Sequence, residues 1–149
     1  MSEPTGEQDR APEPGPHDDM IRRIVEILQS KQAADIMLMD LRSSTDTTDF
    51  FILCSGTSDL HVKTLADELT HTLKEEGHPH WHIEGYRTRR WILVDYVDVV
   101  VHIFRPEARE FYALERLWGD AERTCYRDGA DEPEAEELTH PDHTVFTRP

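Results

Sequence analysis

The chain has 149 residues, enough for one domain, and carries 31 acidic against 16 basic residues, a formal net charge of −15. That balance argues against a general nucleic-acid binder, because non-specific contact with phosphates needs cationic patches; a basic protein partner fits it better. No apolar run approaches the length of a membrane span, and the first residues are acidic where a leader would be basic or acid-poor, so a cytoplasmic protein is expected.

Residues 1–19 hold six acids and one base and read "EPTGEQDRAPEPGP" over most of their length. They lack apolar periodicity and cannot bury enough surface to offset the entropy of ordering, so a disordered acidic tail is expected. "MIRRIVEILQSK" then places Ile21, Ile24, Val25 and Leu28 at helical spacing, with Asp18 and Asp19 as candidate caps. "DIMLMDL" (35–41) and "FFILCS" (50–55) are short and apolar on both faces, as interior strands are. The polar stretch "RSSTDTTD" between them is a loop. After "SGTS", with Thr57 and Ser58 as candidate caps, Val62, Leu65, Ala66, Leu69 and Leu73 form one helical stripe that Gly77 terminates. A short strand follows near 81–84. "RWILVDY" and "DVVVHIF" form two strands joined tightly around Tyr96 to Asp98, a hairpin. Pro106 suits a first helical position, and Ala108, Phe111, Leu114, Leu117, Trp118 and Ala121 predict a helix through to about residue 125. Residues 127–149, with seven acids and two bases, repeat the composition of the first tail. The expected organisation is therefore a domain over 20–126 between two disordered acidic tails. Its element order is α-β-β-α-β-β-β-α, an α/β fold with a mixed five-stranded sheet and packed helices.

Each cluster of reactive side chains has a structural explanation. The single glycine of "SGTS" makes a capped helix start rather than a phosphate loop. Asp95 and Asp98 are three apart across a turn, and Asp40 stands alone on its strand. Metal-dependent phosphoryl transfer needs carboxylates projecting together, so a turn-stabilising role suits the pair. His102 lies mid-strand among valines with no nucleophile beside it, as a buried neutral imidazole would. "HPHWH" sets His78, His80 and His82 at alternate positions, but Pro79 and the missing fourth ligand favour a solvated connector over zinc. Cys54 and Cys125 form no CxxC and are expected as free thiols. No catalytic residue, metal or cofactor is assigned. Trp91 opens a strand beside the basic turn "RTRR" (87–90), where an aromatic with a polar handle can anchor an interface; Trp118 falls on the last helical stripe and is expected in the core.

"MDLR", Ser44 with "DFF", "SGTS", "EG" at 84–85, "WILVDY…DVVVHIF" and "PEAREFYALERLW" occur in order over roughly residues 20–120. In these motifs the chain resembles the ribosomal silencing factor (RsfS, or Iojap) family. The resemblance implies a nucleotidyltransferase-like fold without the catalytic carboxylates. It also implies a non-enzymatic translational repressor that binds large-subunit ribosomal protein fourteen, blocks joining with the small subunit when nutrients are scarce, and forms a homodimer off the ribosome. On this basis Arg90, Trp91, Tyr96, His102 and Phe104 are the expected partner-binding residues, and the run from Asp95 to Phe104 is scaffold for a docking surface. Val97 departs from the glycine usual in the family's "DYGD", which makes a left-handed turn less comfortable there. Arg89 and Arg90 replace residues that are often smaller. Two alternatives stay open at this level: a nucleotidyltransferase-like enzyme with an unrecognised active site, and a metal-responsive module built on "HPHWH".

Overall fold

The computed structural model describes residues 16–126 and 135–137. Helix α1 (Pro16–Ser30) forms on the stripe Ile21, Ile24, Val25 and Leu28, all buried. Asp18 and Asp19 are not its caps; they lie within its first turn, where the positive end of the helix dipole favours carboxylates. Strands β1 (Ala34–Asp40) and β2 (Phe50–Ser55) pair antiparallel across the polar loop. Helix α2 (Asp59–Glu75) starts where Ser58 Oγ accepts the His61 amide at 3.0 Å. It stops in a Schellman turn: Gly77, at φ 94°, donates to the Lys74 carbonyl and His78 to that of Leu73.

Three strands follow, β3 (His82–Glu84), β4 (Trp91–Asp95) and β5 (Val99–Phe104), then two short helices, α3 (Pro106–Tyr112) and α4 (Leu114–Leu117). Two further strands, β6 (Glu122–Tyr126) and β7 (Ala135–Glu137), complete one mixed sheet in the order β3-β4-β5-β2-β1-β6-β7. Among the neighbouring strands described, β2 and β5 form the one parallel pair, since α2 and the β3–β4 hairpin carry the chain back between them.

The sheet thus has seven strands where five were expected, and the long final helix is broken. Ala113 adopts a left-handed φ of 49° and ends α3, and after α4 the chain turns into β6, which pairs with the otherwise unpaired edge of β1. Residues 111, 114, 117 and 118 share a helical period, yet Phe111 and Leu117 are 77% and 70% exposed. Pairing with a distant strand overrides a local period here. Residues 16–19, expected in the first tail, are instead the start of α1, and β7 falls inside the segment expected as the second tail and pairs with β6; the tail expectation for 1–15, 127–134 and 138–149 lies outside the described residues.

The strands alternate between two faces. On one, Ile52, Cys54, Ile92, Val94, Val101 and Ile103 pack under α1 and α2. Burial there pushes the Cys54 thiol up to about 12, against a smaller opposing effect of Arg109, so it is inert at neutral pH; Cys54 and Cys125 are thiols rather than a disulfide, as expected. On the other face, Met37, Met39, Leu53 and Phe104 pack against Ala108, Leu114 and Ala121. Arg109 fastens α3 to this layer. Its Nη1 donates to the Asp35 carbonyl at 2.8 Å and to Ser55 Oγ at 3.0 Å, and its Nε to Glu115 at 3.1 Å.

The β4–β5 turn forms with Val97 at the position where the family resemblance led glycine to be expected. The Val97 amide donates to Asp95 Oδ1 at 2.7 Å, the turn-stabilising role expected for that carboxylate. The Asp98 carbonyl accepts the amides of Asp49 and Phe50, tying the turn to the start of β2. Val97 sits at φ 77°, a strained conformation for a β-branched residue, with its side chain exposed. Val97→Gly is therefore expected to stabilise the protein by about 1 kcal/mol, read as a higher melting temperature. An unchanged or lower value would mean that contacts of the valine methyls outweigh the strain.

Candidate functional site

Helices α1 and α2 cover the centre of the first sheet face, whereas α3 and α4 reach only one end of the second. The uncovered remainder is aromatic. Trp91, half-buried at the start of β4, lies 4.6 Å from the Tyr112 ring and stacks on Phe104 at 5.0 Å. Its Nε1–H donates to Nδ1 of His102 at 3.0 Å. The His102 ring meets Phe51 edge-on at 4.4 Å, and Phe51 meets Trp118 at 6.3 Å. The row Tyr112, Trp91, His102, Phe51, Trp118 thus crosses the sheet from α3 to the residue after α4. Beside it opens a groove of about 540 Å³, walled by Phe51, Trp81, Val97, Val100 and Trp118 and rimmed by Thr45, Thr47, Thr48 and Asp95. Trp81 is 72% exposed, and Phe111 and Leu117 project nearby along the chain from the row's ends. Contiguous apolar surface of this kind on a folded chain marks an interaction site.

Local geometry explains how the row is held. Gly85, at φ 79°, lets the β3–β4 connection cross the Trp91 backbone: a Cβ there would stand 2.1 Å from the Trp91 carbonyl oxygen. Gly85→Ala is expected to cost about 1–3 kcal/mol of stability and to displace Trp91. Melting and tryptophan fluorescence measure this together; unchanged values in both would refute the crowding. His102 is 3% exposed, and burial pushes its imidazole down to about 3, so it is neutral at physiological pH.

Of the expected partner-binding residues, Trp91 is half-exposed and Arg90 exposed, beside each other at the edge of the row. Phe104 is fully enclosed and His102 nearly so, which leaves both beneath the surface and in contact with Trp91. Tyr96 is half-buried against the other core cluster, and burial raises its phenol. Trp118, expected in the core, is half-buried and shares the groove wall. Sequence reading missed Phe51, Trp81, Phe111 and Tyr112. The adjacent aromatics Phe111 and Tyr112 were a usable signal, since neighbours in a helix cannot both face one core.

The other chemical candidates do not assemble. Among the described residues no three histidines, cysteines or carboxylates come close enough to hold a metal ion. His82 pairs with Glu84 at 2.8 Å, and His80 lies edge-on to Tyr96 at 6.5 Å. Hydrogen bonds from the Arg42 side chain, at 2.7 and 3.0 Å, hold the Asp40 carboxyl below the usual range. The "SGTS" turn is a helix cap, and the Thr57 amide already donates to His61 Nδ1 at 2.8 Å.

The family model described as "Ribosomal silencing factor during starvation" matches residues 14–147. The chain belongs to the ribosomal silencing factor family. A Bacillus subtilis protein named ribosomal silencing factor RsfS is 42% identical over 61% of this chain and 77% of its own length. A mouse protein named for mitochondrial assembly of the ribosomal large subunit is 34% identical over 71% of this chain and half of its own. A crystal structure of a Chromobacterium violaceum protein superposes with a TM-score of 0.66 at 28% identity, over 85% of this silencing factor and 96% of that chain. In this member of the family, no helix among the described residues is long and apolar enough to cross a membrane.

Proposed function

We propose that this silencing factor represses translation by docking on the large ribosomal subunit through large-subunit ribosomal protein fourteen, so that the small subunit cannot join under nutrient limitation. The observation that carries the surface assignment is the uncovered aromatic row with its groove, a large apolar area with no covering element among the described residues. Family membership supports the ribosomal target, and the name of the mouse relative supports the large subunit in particular. Trp91 and Arg90 are the direct contacts in this reading. His102 and Phe104 act from below by holding Trp91, and Tyr96 shapes the hairpin. The net charge of −15 suits a basic partner protein better than rRNA.

The remaining features fit a binding protein of the cytoplasm rather than an enzyme. In this reading the fold is nucleotidyltransferase-like without the catalytic carboxylates, and no cofactor is required. Off the ribosome a second copy covers the same apolar face, which gives a homodimer. Residues 20–126 carry docking, and the acidic segments on either side are dispensable for it. Sedimentation with isolated subunits tests the function. The protein is expected to pellet with the large subunit alone and to lower the yield of joined ribosomes; pelleting with the small subunit only would reject the reading.

A further inference from the structure

We propose that His102 is a positioning residue for docking: through Nδ1 it holds the Trp91 indole in its binding orientation. The inference rests on the ribosomal reading above. Trp91 pairs directly with Phe104 across the β4–β5 ladder and Leu93 with His102, so Trp91 and His102 are diagonal neighbours on one face. Trp91 Nε1–H donates to Nδ1 at 3.0 Å, which in a neutral imidazole places the proton on Nε2. That N–H is buried and has no hydrogen-bond partner among the described residues. An unpaired buried donor destabilises a fold, so folding by itself favours an apolar ring at this position.

The imidazole's hydrogen bond goes to a residue at the surface. Phe104 and Tyr112 flank the indole with ring contacts at 5.0 and 4.6 Å, and such contacts fix a plane more strongly than a direction within it. The hydrogen bond is directional and selects which edge of the indole points inward, and therefore which edge faces a partner. An aromatic already ordered in its bound orientation loses less freedom on association. Since burial keeps the imidazole neutral to about pH 3, Nδ1 remains an acceptor throughout the physiological range.

The test uses the full chain with His102→Phe and His102→Asn, nitrogen-15 labelled, with the Trp91 indole resonance assigned by its loss in Trp91→Phe. Thermal melting and pelleting with large subunits are measured on the same preparations. His102→Phe is expected to melt at or above the temperature of the unsubstituted protein, to shift the Trp91 indole resonance, and to bind large subunits about tenfold more weakly. His102→Asn, whose side-chain oxygen can take the place of Nδ1, is expected to keep the resonance and most of the binding. An unmoved resonance in His102→Phe, unchanged binding with a shifted one, or a loss of binding matched by a fall in melting temperature in both variants would overturn the positioning role. If the unsubstituted protein itself fails to pellet with large subunits, the ribosomal reading has failed, and the indole resonance alone decides whether His102 orients Trp91.

Discussion

Trp91→Ala is expected to weaken binding to the large subunit about thirtyfold, roughly 2 kcal/mol, the usual effect of removing an aromatic anchor from an interface. The indole is half-buried: it packs on Phe104 and Tyr112 and its N–H is taken by His102, while the rest is open on the aromatic row. Truncation therefore also removes packing, and a loss of about 1–3 kcal/mol of stability should accompany it, less than for a fully enclosed aromatic. Melting temperature and large-subunit affinity, measured on one preparation, separate the two effects. A folded variant that binds normally would take Trp91 out of the docking surface. A variant unfolded at the assay temperature would make it a core residue instead.

Acid is expected to destabilise the protein through His102. In the fold, burial among Phe51, Trp91 and Phe104 lowers its titration from the ordinary value near 6.5 to about 3, whereas in the unfolded chain it titrates normally. Between those values the unfolded state binds a proton that the folded state does not. Stability is therefore intact above about pH 6.5 and falls as pH drops below it, by about 1.4 kcal/mol per unit until the folded-state value is reached. At pH 5 the loss attributable to this residue is about 2 kcal/mol. Denaturant unfolding of the unsubstituted protein and His102→Phe at pH 7.5 and pH 5 isolates the contribution, since all the other titratable groups are common to the two proteins. Equal losses in the two proteins would show that His102 does not carry the acid sensitivity.

Short-range signals were legible before any coordinates. The stripes of α1 and α2, the Ser58 cap, the Gly77 terminus and the Asp95 turn depend on residues within a few positions of one another, and such contacts form wherever the local chain permits. The family motifs were equally local, being runs of adjacent residues.

Tertiary structure decided everything that depends on which strand lies beside which. The break at Ala113 and the pairing of β6 with β1 were invisible because the run after Pro106 has a helical period, and the open edge that seats "ERTCY" in the sheet belongs to a strand more than eighty residues earlier. Trp91 and His102 stand eleven residues apart, and they meet because the hairpin register makes them diagonal neighbours on the uncovered face. Phe51 joins them only through the parallel pairing of β2 with β5. A side chain's type and its local period are properties of the chain, but whether a given face of the sheet is covered by a helix depends on where long-range hydrogen bonding and packing place the helices. That placement left the aromatic row of this silencing factor open.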